Sequence, residues 1–161
     1  MQWGGKMSLP LHTRMSSEQN SGAFAFGRSE HGVTITLKAA ESEVSPVVDQ
    51  IMHMVNETGC CAPGKELDVE IALREALANA IKHGANGDPS KTVECRVSCG
   101  DSGILIVVRD PGPGFDPAAI PDPLSSENIF SNHGRGIFLI NKLMDEVKFE
   151  KNGTEIHMRK Y

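Results

Sequence analysis

Apolar and polar positions define the elements of this chain before any chemistry is considered. Val33, Ile35 and Leu37 alternate with Thr34, Thr36 and Lys38, the period-two pattern of a half-buried strand. From Ser42 to Glu57, Val44, Val47, Val48, Ile51, Met52 and Val55 recur at helical spacing. Pro46 falls in the first turn of that helix, where a missing N–H is tolerated, and Gly59 supplies its stop. A second helix is predicted from about Lys65 to His83, with Leu67, Ile71, Leu77, Ala78 and Ile81 as its apolar side and Gly84 as its end. The clearest strand is TVECRVSC, where Val93, Cys95, Val97 and Cys99 face one way and Thr92, Glu94, Arg96 and Ser98 the other. Asp101-Ser102-Gly103 then turns into ILIVVRD, an uninterrupted apolar run typical of a central strand.

Residues 111–133 carry Pro111, Pro113, Pro117, Pro121 and Pro123 and read as one long loop, a length that is usually functional in a compact domain. GRGIFLINKLM follows as a helix. VKFEK, Asn152-Gly153 and TEIHMRK read as a hairpin, Asn-Gly being the favoured two-residue turn. The order β-α-α-β-β-loop-α-β-β predicts an α+β fold, a two-layer sandwich with a mixed, mostly antiparallel sheet and its helices on one face. Residues 1–29, rich in Ser, Gly, Asn and Gln, read as a flexible leader, and 30–161 as one compact unit.

Composition narrows the function classes. The chain has 161 residues, one domain's worth, and 39% hydrophobic residues allow a sizeable core. Its 16 Lys+Arg against 21 Asp+Glu give a net charge of −5, which argues against a general nucleic-acid binder. No apolar run is long enough to span a membrane, and the N-terminus lacks the apolar core of a secretory signal, so the expected location is cytoplasmic. Cys60 and Cys61 are adjacent, and Cys95 and Cys99 stand four apart, roughly 13 Å along a strand. Neither spacing suits a zinc knuckle, and all four read as free thiols.

Three short constellations carry the candidate chemistry. Glu75, Asn79 and His83 recur at i, i+4 and i+8 and share one face of the second helix. Asp110-Pro111-Gly112-Pro113-Gly114-Phe115 places an acceptor-only carboxylate at the end of an apolar strand, beside glycines that permit close approach of a ligand. His133-Gly134-Arg135-Gly136 opens a helix, and exposed N–H groups at a helix start favour anions such as phosphate. Each alone is weak: a solvated helix face, a turn and a glycine-rich helix start explain them equally well.

Three decoys fall away. Gly59 to Lys65 matches G-x-x-x-x-G-K, but Glu66 follows instead of Ser or Thr, and a helix precedes it instead of a strand. Asn56-Glu57-Thr58 and Asn152-Gly153-Thr154 match a glycosylation sequon without a secretory signal to support it. Gly112-Pro113-Gly114 does not extend into a dinucleotide-binding fingerprint.

Taken together and in this order, the three constellations resemble the nucleotide-binding fold shared by histidine kinases, type II topoisomerases, a heat-shock chaperone and mismatch-repair ATPases. More narrowly, LREALANAIKHG, VRDPGPGFD, HGRGIFLINKLMDEVKF and NGTEIHM look like the anti-sigma-factor serine-protein kinases, and the resemblance covers roughly residues 30–161. It implies ATP and Mg²⁺ as cofactors. By the same resemblance Asn79 binds Mg²⁺ between the phosphates, and Glu75 is the general base for an attacking serine hydroxyl. Asp110 reads the adenine amine, Gly112 and Gly114 shape the base pocket, and residues 115–133 form a lid. Gly134 and Gly136 offer N–H groups to the phosphates, with His133 and Arg135 beside them and no catalytic part for Lys82 or His83.

The implied function is that of a switch kinase. Such a protein sequesters a sigma factor and phosphorylates a serine or threonine of an anti-sigma-factor antagonist, often as a homodimer, with no direct nucleic-acid or membrane contact. Two rivals stand beside it. One is a non-enzymatic ATP-binding clamp of the same fold, against which the intact Glu75 argues. The other is a stand-alone ATPase domain of the histidine-kinase type, lacking the helical hairpin that presents a phospho-acceptor histidine.

Overall fold

The computed structural model describes residues 13–14, 31–119 and 132–161. In chain order the elements are β1 (Thr13–Arg14), β2 (His31–Lys38), α1 (Val44–Thr58), α2 (Glu66–Asn79), β3 (Thr92–Gly100), β4 (Gly103–Arg109), α3 (Asn132–Leu143), β5 (Glu146–Glu150) and β6 (Glu155–Lys160). The sheet order is β1-β2-β3-β4-β6-β5, and every described pairing is antiparallel. The α+β sandwich expected from the sequence is present, with its sheet antiparallel throughout these pairings.

Residues 1–12 and 15–29 of the expected leader, residue 30, and residues 120–131 of the expected lid lie outside the described residues. Thr13 and Arg14 pair with Ile35 and Thr34 at one end of the sheet order. Among the described residues no helix is long and apolar enough to cross a membrane.

Alternation decides which face of the sheet is covered. Val93, Cys95, Val97 and Cys99 of β3 are buried, as are Ile104, Ile106 and Val108 of β4 and Met158 of β6. They form one core with α1, α2, Ile140 of α3 and Met144 just after it. Burying side chains such as these contributes roughly 1.5–3 kcal/mol each, which makes this single layer the main source of stability. On the opposite face Leu105 and Val107 form a small separate cluster. There Glu155, 2% exposed, is ringed by Arg96, Arg109, Lys151 and His157 at N···O distances of 3.6, 3.8, 3.1 and 3.1 Å. That ring ties β3, β4 and β6 to the loop after β5.

Helix α2 departs from its expected apolar side. Its buried residues are Val69, Ala72, Leu73, Ala76 and Leu77, while Leu67 is 63% exposed and Ile71 and Ala78 are half-buried. The reason is packing on more than one side: α2 contacts both α1 and α3. Ala72 and Ala76 let a neighbouring helix come close, and no single stripe marks the buried surface. The helix also does not run unchanged to His83. After Asn79 it widens into a π turn, Ala80–Gly84, closed by Ala85 N–H donating to Ala80 O at 2.9 Å.

Two further expectations are corrected. The β5–β6 hairpin closes through four residues, Lys151 to Thr154, not two. Lys151, Asn152 and Gly153 have φ of 50°, 57° and 80°. The cysteines are not all free: Cys60 and Cys99 form a disulfide with a Cα–Cα distance of 5.4 Å, and Cys61 and Cys95 are the free, buried thiols. Spacing along the sequence compares only near neighbours, whereas folding sets the end of α1 beside the end of β3 across 39 residues.

Lys160 anchors the last strand. It is 6% exposed, and its Nζ donates to Leu143 O at 2.7 Å and pairs with Asp145 at 3.2 Å and Asp68 of α2 at 3.5 Å. Lys160→Met keeps the aliphatic stem and removes the charge-assisted bond. It is expected to destabilise the fold by about 1.5–3 kcal/mol, read as a lower midpoint in urea with an unchanged slope. The Tyr161 N–H first, and Lys160 second, hold the Asp145 carboxyl below its usual range. The stabilisation that this brings is present above the ordinary carboxylate range and lost as pH falls through the folded value, so the variant's deficit narrows in acid.

Candidate active site

The site lies where the end of β4 meets the end of α2. Asp110 leaves the sheet directly after β4, and its backbone N–H donates to Thr154 O at 3.0 Å. Its Oδ1 accepts the Gly112 N–H at 2.8 Å. Burial pushes the Asp110 carboxyl above the usual range, and the Gly112 bond opposes that only in part. The carboxylate therefore sits half-desolvated, which makes it a strong acceptor for a donor arriving from a ligand.

Glycine is required on both sides of that carboxylate. A Cβ at Gly84, in the π turn, would overlap Asp110 itself, and one at Gly112 would lie 2.5 Å from Gly84 O and 2.8 Å from Asp110 Oδ1. The π turn and the loop after β4 thus interlock, with the Asp110 carboxylate packed directly on the Gly84 backbone, and π turns are frequent at functional sites. The next residues rest on the hairpin loop. Phe115 N–H donates to Asn152 O at 2.8 Å, and Gly114, at φ 78°, leaves no room for a side chain against that same oxygen. The four-residue loop at Lys151–Thr154 has its physical reason here, since its carbonyls receive the segment 110–115.

Between these parts opens a cavity of about 160 Å³, lined by Ala80, Val108, Ile137 and Ile156, with Asn79, His83, Asp110 and Thr154 as its polar side chains. Phe115 and Phe149 close one side, their rings edge-to-face with centroids 5.3 Å apart. An apolar cavity of about 150 Å³ takes up benzene, so this one has room for a flat ring. The convergent polar groups would give that ring one orientation.

A second cluster adjoins the first through Asn79. Helix α3 approaches α2 at Gly136, where a Cβ would lie 2.9 Å from Glu75 Oε2 and 3.1 Å from Asn79 Nδ2. Glu75 and Asn79 are both half-buried, one helical turn apart. Gly134, buried, lies in the first turn of α3, where N–H groups have no partner within the helix. Gly136 lies further in, where the N–H bonds back along the helix. Arg135 is exposed.

The structure therefore brings Asn79, Asp110 and Gly114 to one cavity, holds Gly112 behind the Asp110 carboxylate against Gly84, and sets Glu75, Asn79 and Gly136 together beside the cavity. Gly134 stands at the start of α3, and Arg135 points away from the packed interior. Sequence reasoning missed Gly84, taken only as a helix stop, and missed the Asn152–Thr154 loop and the Phe115–Phe149 pair. The signal for Gly84 was its place directly after the face bearing Glu75, Asn79 and His83. Among the described residues there is no group of three or more His, Cys, Asp or Glu placed to hold a metal. Asn79 offers a single oxygen donor, which suits a cation that keeps most of its waters and shares phosphate oxygens.

Comparison with known proteins identifies the family. Over 152 residues the chain is 26% identical to an anti-sigma F factor of Bacillus cytotoxicus, covering 91% of this chain and 94% of the relative. An anti-sigma F factor of Geobacillus kaustophilus is 25% identical over 160 residues, 96% of this chain and 94% of the relative. A serine-protein kinase RsbW of Bacillus velezensis is 32% identical over 101 residues, 58% of this chain and 63% of the relative. Residues 37–160 match the model of the histidine kinase-like ATPase domain, and the chain belongs to that family.

Proposed function

We propose that this protein is an anti-sigma factor with ATP-dependent serine/threonine-protein kinase activity. It binds a sigma factor and phosphorylates a serine or threonine of an anti-sigma-factor antagonist. The observation that carries the reading is the meeting of Glu75 and Asn79 with Gly136 beside the cavity that ends on Asp110. The relatives named as anti-sigma F factors and as a serine-protein kinase support it. A homodimer in the cytoplasm fits the same reading.

In this mechanism adenine enters the apolar cavity, and its exocyclic amine donates to the Asp110 carboxylate. The Gly134 N–H group at the start of α3 faces the phosphates, where the helix end favours anions. Mg²⁺, held through the Asn79 amide oxygen and phosphate oxygens, would neutralise charge on the transferring group. Glu75, one turn from Asn79, accepts the proton of the attacking hydroxyl as the new O–P bond forms and the bond to ADP breaks. Phosphoryl transfer passes through a loose transition state, so positioning by these groups outweighs proton abstraction.

Three variants test this. Glu75→Ala should bind ATP as the wild type does and transfer phosphate ~10²–10⁴ times more slowly in single turnover with an antagonist protein. An unchanged transfer rate would remove Glu75 from the role of base. Gly136→Ala forces Glu75 and Asn79 aside, and a displacement of this size should slow transfer about 10–100-fold while circular dichroism stays that of the wild type.

Asp110→Asn should weaken ATP binding by about 1.5–3 kcal/mol in calorimetry. Because burial raises the folded pKa of Asp110, its contribution to stability is full below the ordinary carboxylate range and lost as pH rises through the folded value. The ligand-free variant should therefore melt no lower than the wild type at about pH 8. Its affinity deficit should shrink as acid protonates Asp110 in the wild type. A variant that melts lower yet binds ATP normally would overturn the assignment.

A further inference from the structure

Away from the nucleotide cavity, the α1–α2 connection and the β3–β4 hairpin form a second cleft of about 530 Å³, lined by Cys60, Cys61, Cys99, Asp101 and Tyr161 among others. Gly59, at φ 60°, ends α1 and turns the chain so that Cys60 meets Cys99. We propose that Cys60 and Cys99 are a reversible thiol–disulfide modification site, oxidised by a small disulfide such as oxidised glutathione and independent of the nucleotide cavity.

Three observations carry this. First, the pair is asymmetric: Cys60 is half-buried at the cleft, whereas Cys99 is 1% exposed. A small thiol or disulfide reaches Cys60, and Cys99 is held 5.4 Å away between Cα atoms, within the span that a disulfide bridges. Second, the bond is not needed to make the fold. A chain of 161 residues with one continuous core does not depend on a staple, unlike the small domains that do. Third, the neighbouring thiols stand apart from the pair: Cys61 and Cys95 are both buried and neither is bonded. Burial, and then the nearby Glu66, raises the Cys61 thiol, and Cys95, fully enclosed, is pushed up to about 12. Both shifts disfavour the thiolate that exchange requires.

The chemistry balances with one oxidant. The Cys60 thiolate attacks a sulfur of oxidised glutathione and releases one glutathione thiolate. The Cys99 thiolate then displaces the second glutathione from Cys60, leaving the Cys60–Cys99 bond. The two protons lost by the cysteines end on two molecules of reduced glutathione, and the reverse steps reopen the pair.

The bond closes a loop that contains all of α2, and it constrains the unfolded chain accordingly. Its local effect falls on residues 59–65 and 99–103. The ATP site lies at the other end of α2.

The full chain is equilibrated in a series of reduced and oxidised glutathione mixtures, acid-quenched, alkylated in denaturant and weighed by mass spectrometry. Two thiols should be lost together, with a cross-linked Cys60–Cys99 peptide and with Cys61 and Cys95 still alkylated. Reduced glutathione should reopen the bond in the native protein. Cys60→Ser should retain its three thiols, and Cys99→Ala should stop at a mixed disulfide on Cys60. The oxidised form should melt roughly 5–15 °C higher, with its Kd for ATP within about twofold of the reduced form. No cross-link, a cross-link to Cys61, or a bond that yields only after denaturation would overturn the site. A Kd that moves about tenfold or more would overturn its independence from the nucleotide cavity.

Discussion

The contact between the Asp110 carboxylate and the Cα of Gly84 is the constraint from which the active site is built. It joins the end of a central strand to the end of α2, with the carboxylate packed directly on the Gly84 backbone. A methyl group at residue 84 would occupy the carboxylate's place, so β4 and α2 would have to separate and the cavity would lose its polar end. The same closeness strips water from Asp110, and burial raises its pKa. A ligand amine that donates to this group offsets a cost already present in the empty protein. The proposed preference for a donor at that point thus follows from the packing of the Asp110 carboxylate on the Gly84 backbone.

A second glycine contact applies the same logic between helices. Gly136 lets α3 lie against the turn of α2 that bears Glu75 and Asn79. Holding a carboxylate and an amide half-buried one turn apart is unfavourable for an isolated helix and requires a neighbour that crowds neither. The first turn of α3, whose N–H groups have no partner within the helix, precedes this contact. The proposed base pocket and the proposed transfer site therefore share Asn79, and shifting either helix disturbs both.

Much of this was legible in the sequence, for identifiable reasons. β3 was read residue by residue because it buries one face only, and strict alternation records that directly. β4 was read as central because it is apolar on both faces, and it is paired on both sides. The carboxylate, the amide and the glycines were legible as motifs. What was not legible depends on contacts between segments far apart in the chain. On the buried side of α2 only Leu77, and Ile81 beyond it, were read correctly, because two helices and the sheet share that side. The hairpin loop was misread because its conformation serves Phe115 and Asp110 more than the hairpin itself. Gly84 looked like an ordinary helix end, since its partner Asp110 is 26 residues away, a separation read directly from their numbers. The Cys60–Cys99 bond escaped for the same reason.

These two sets of long-range contacts lie at opposite ends of one helix. Helix α2 spans 14 residues, or about 20 Å. Asn79 closes one end beside the nucleotide cavity, and the cysteine pair precedes the other. The helix between them is packed on α1, α3 and the sheet, with Val69, Leu73 and Leu77 all fully buried. A change at one end reaches the other only if the helix has two discrete arrangements to choose between. A tightly packed helix in a single core offers no such choice. The fold thus keeps phosphate chemistry and thiol chemistry apart, so that oxidation alters stability and the surface at residues 59–65 and 99–103 while leaving the nucleotide cavity as it stands.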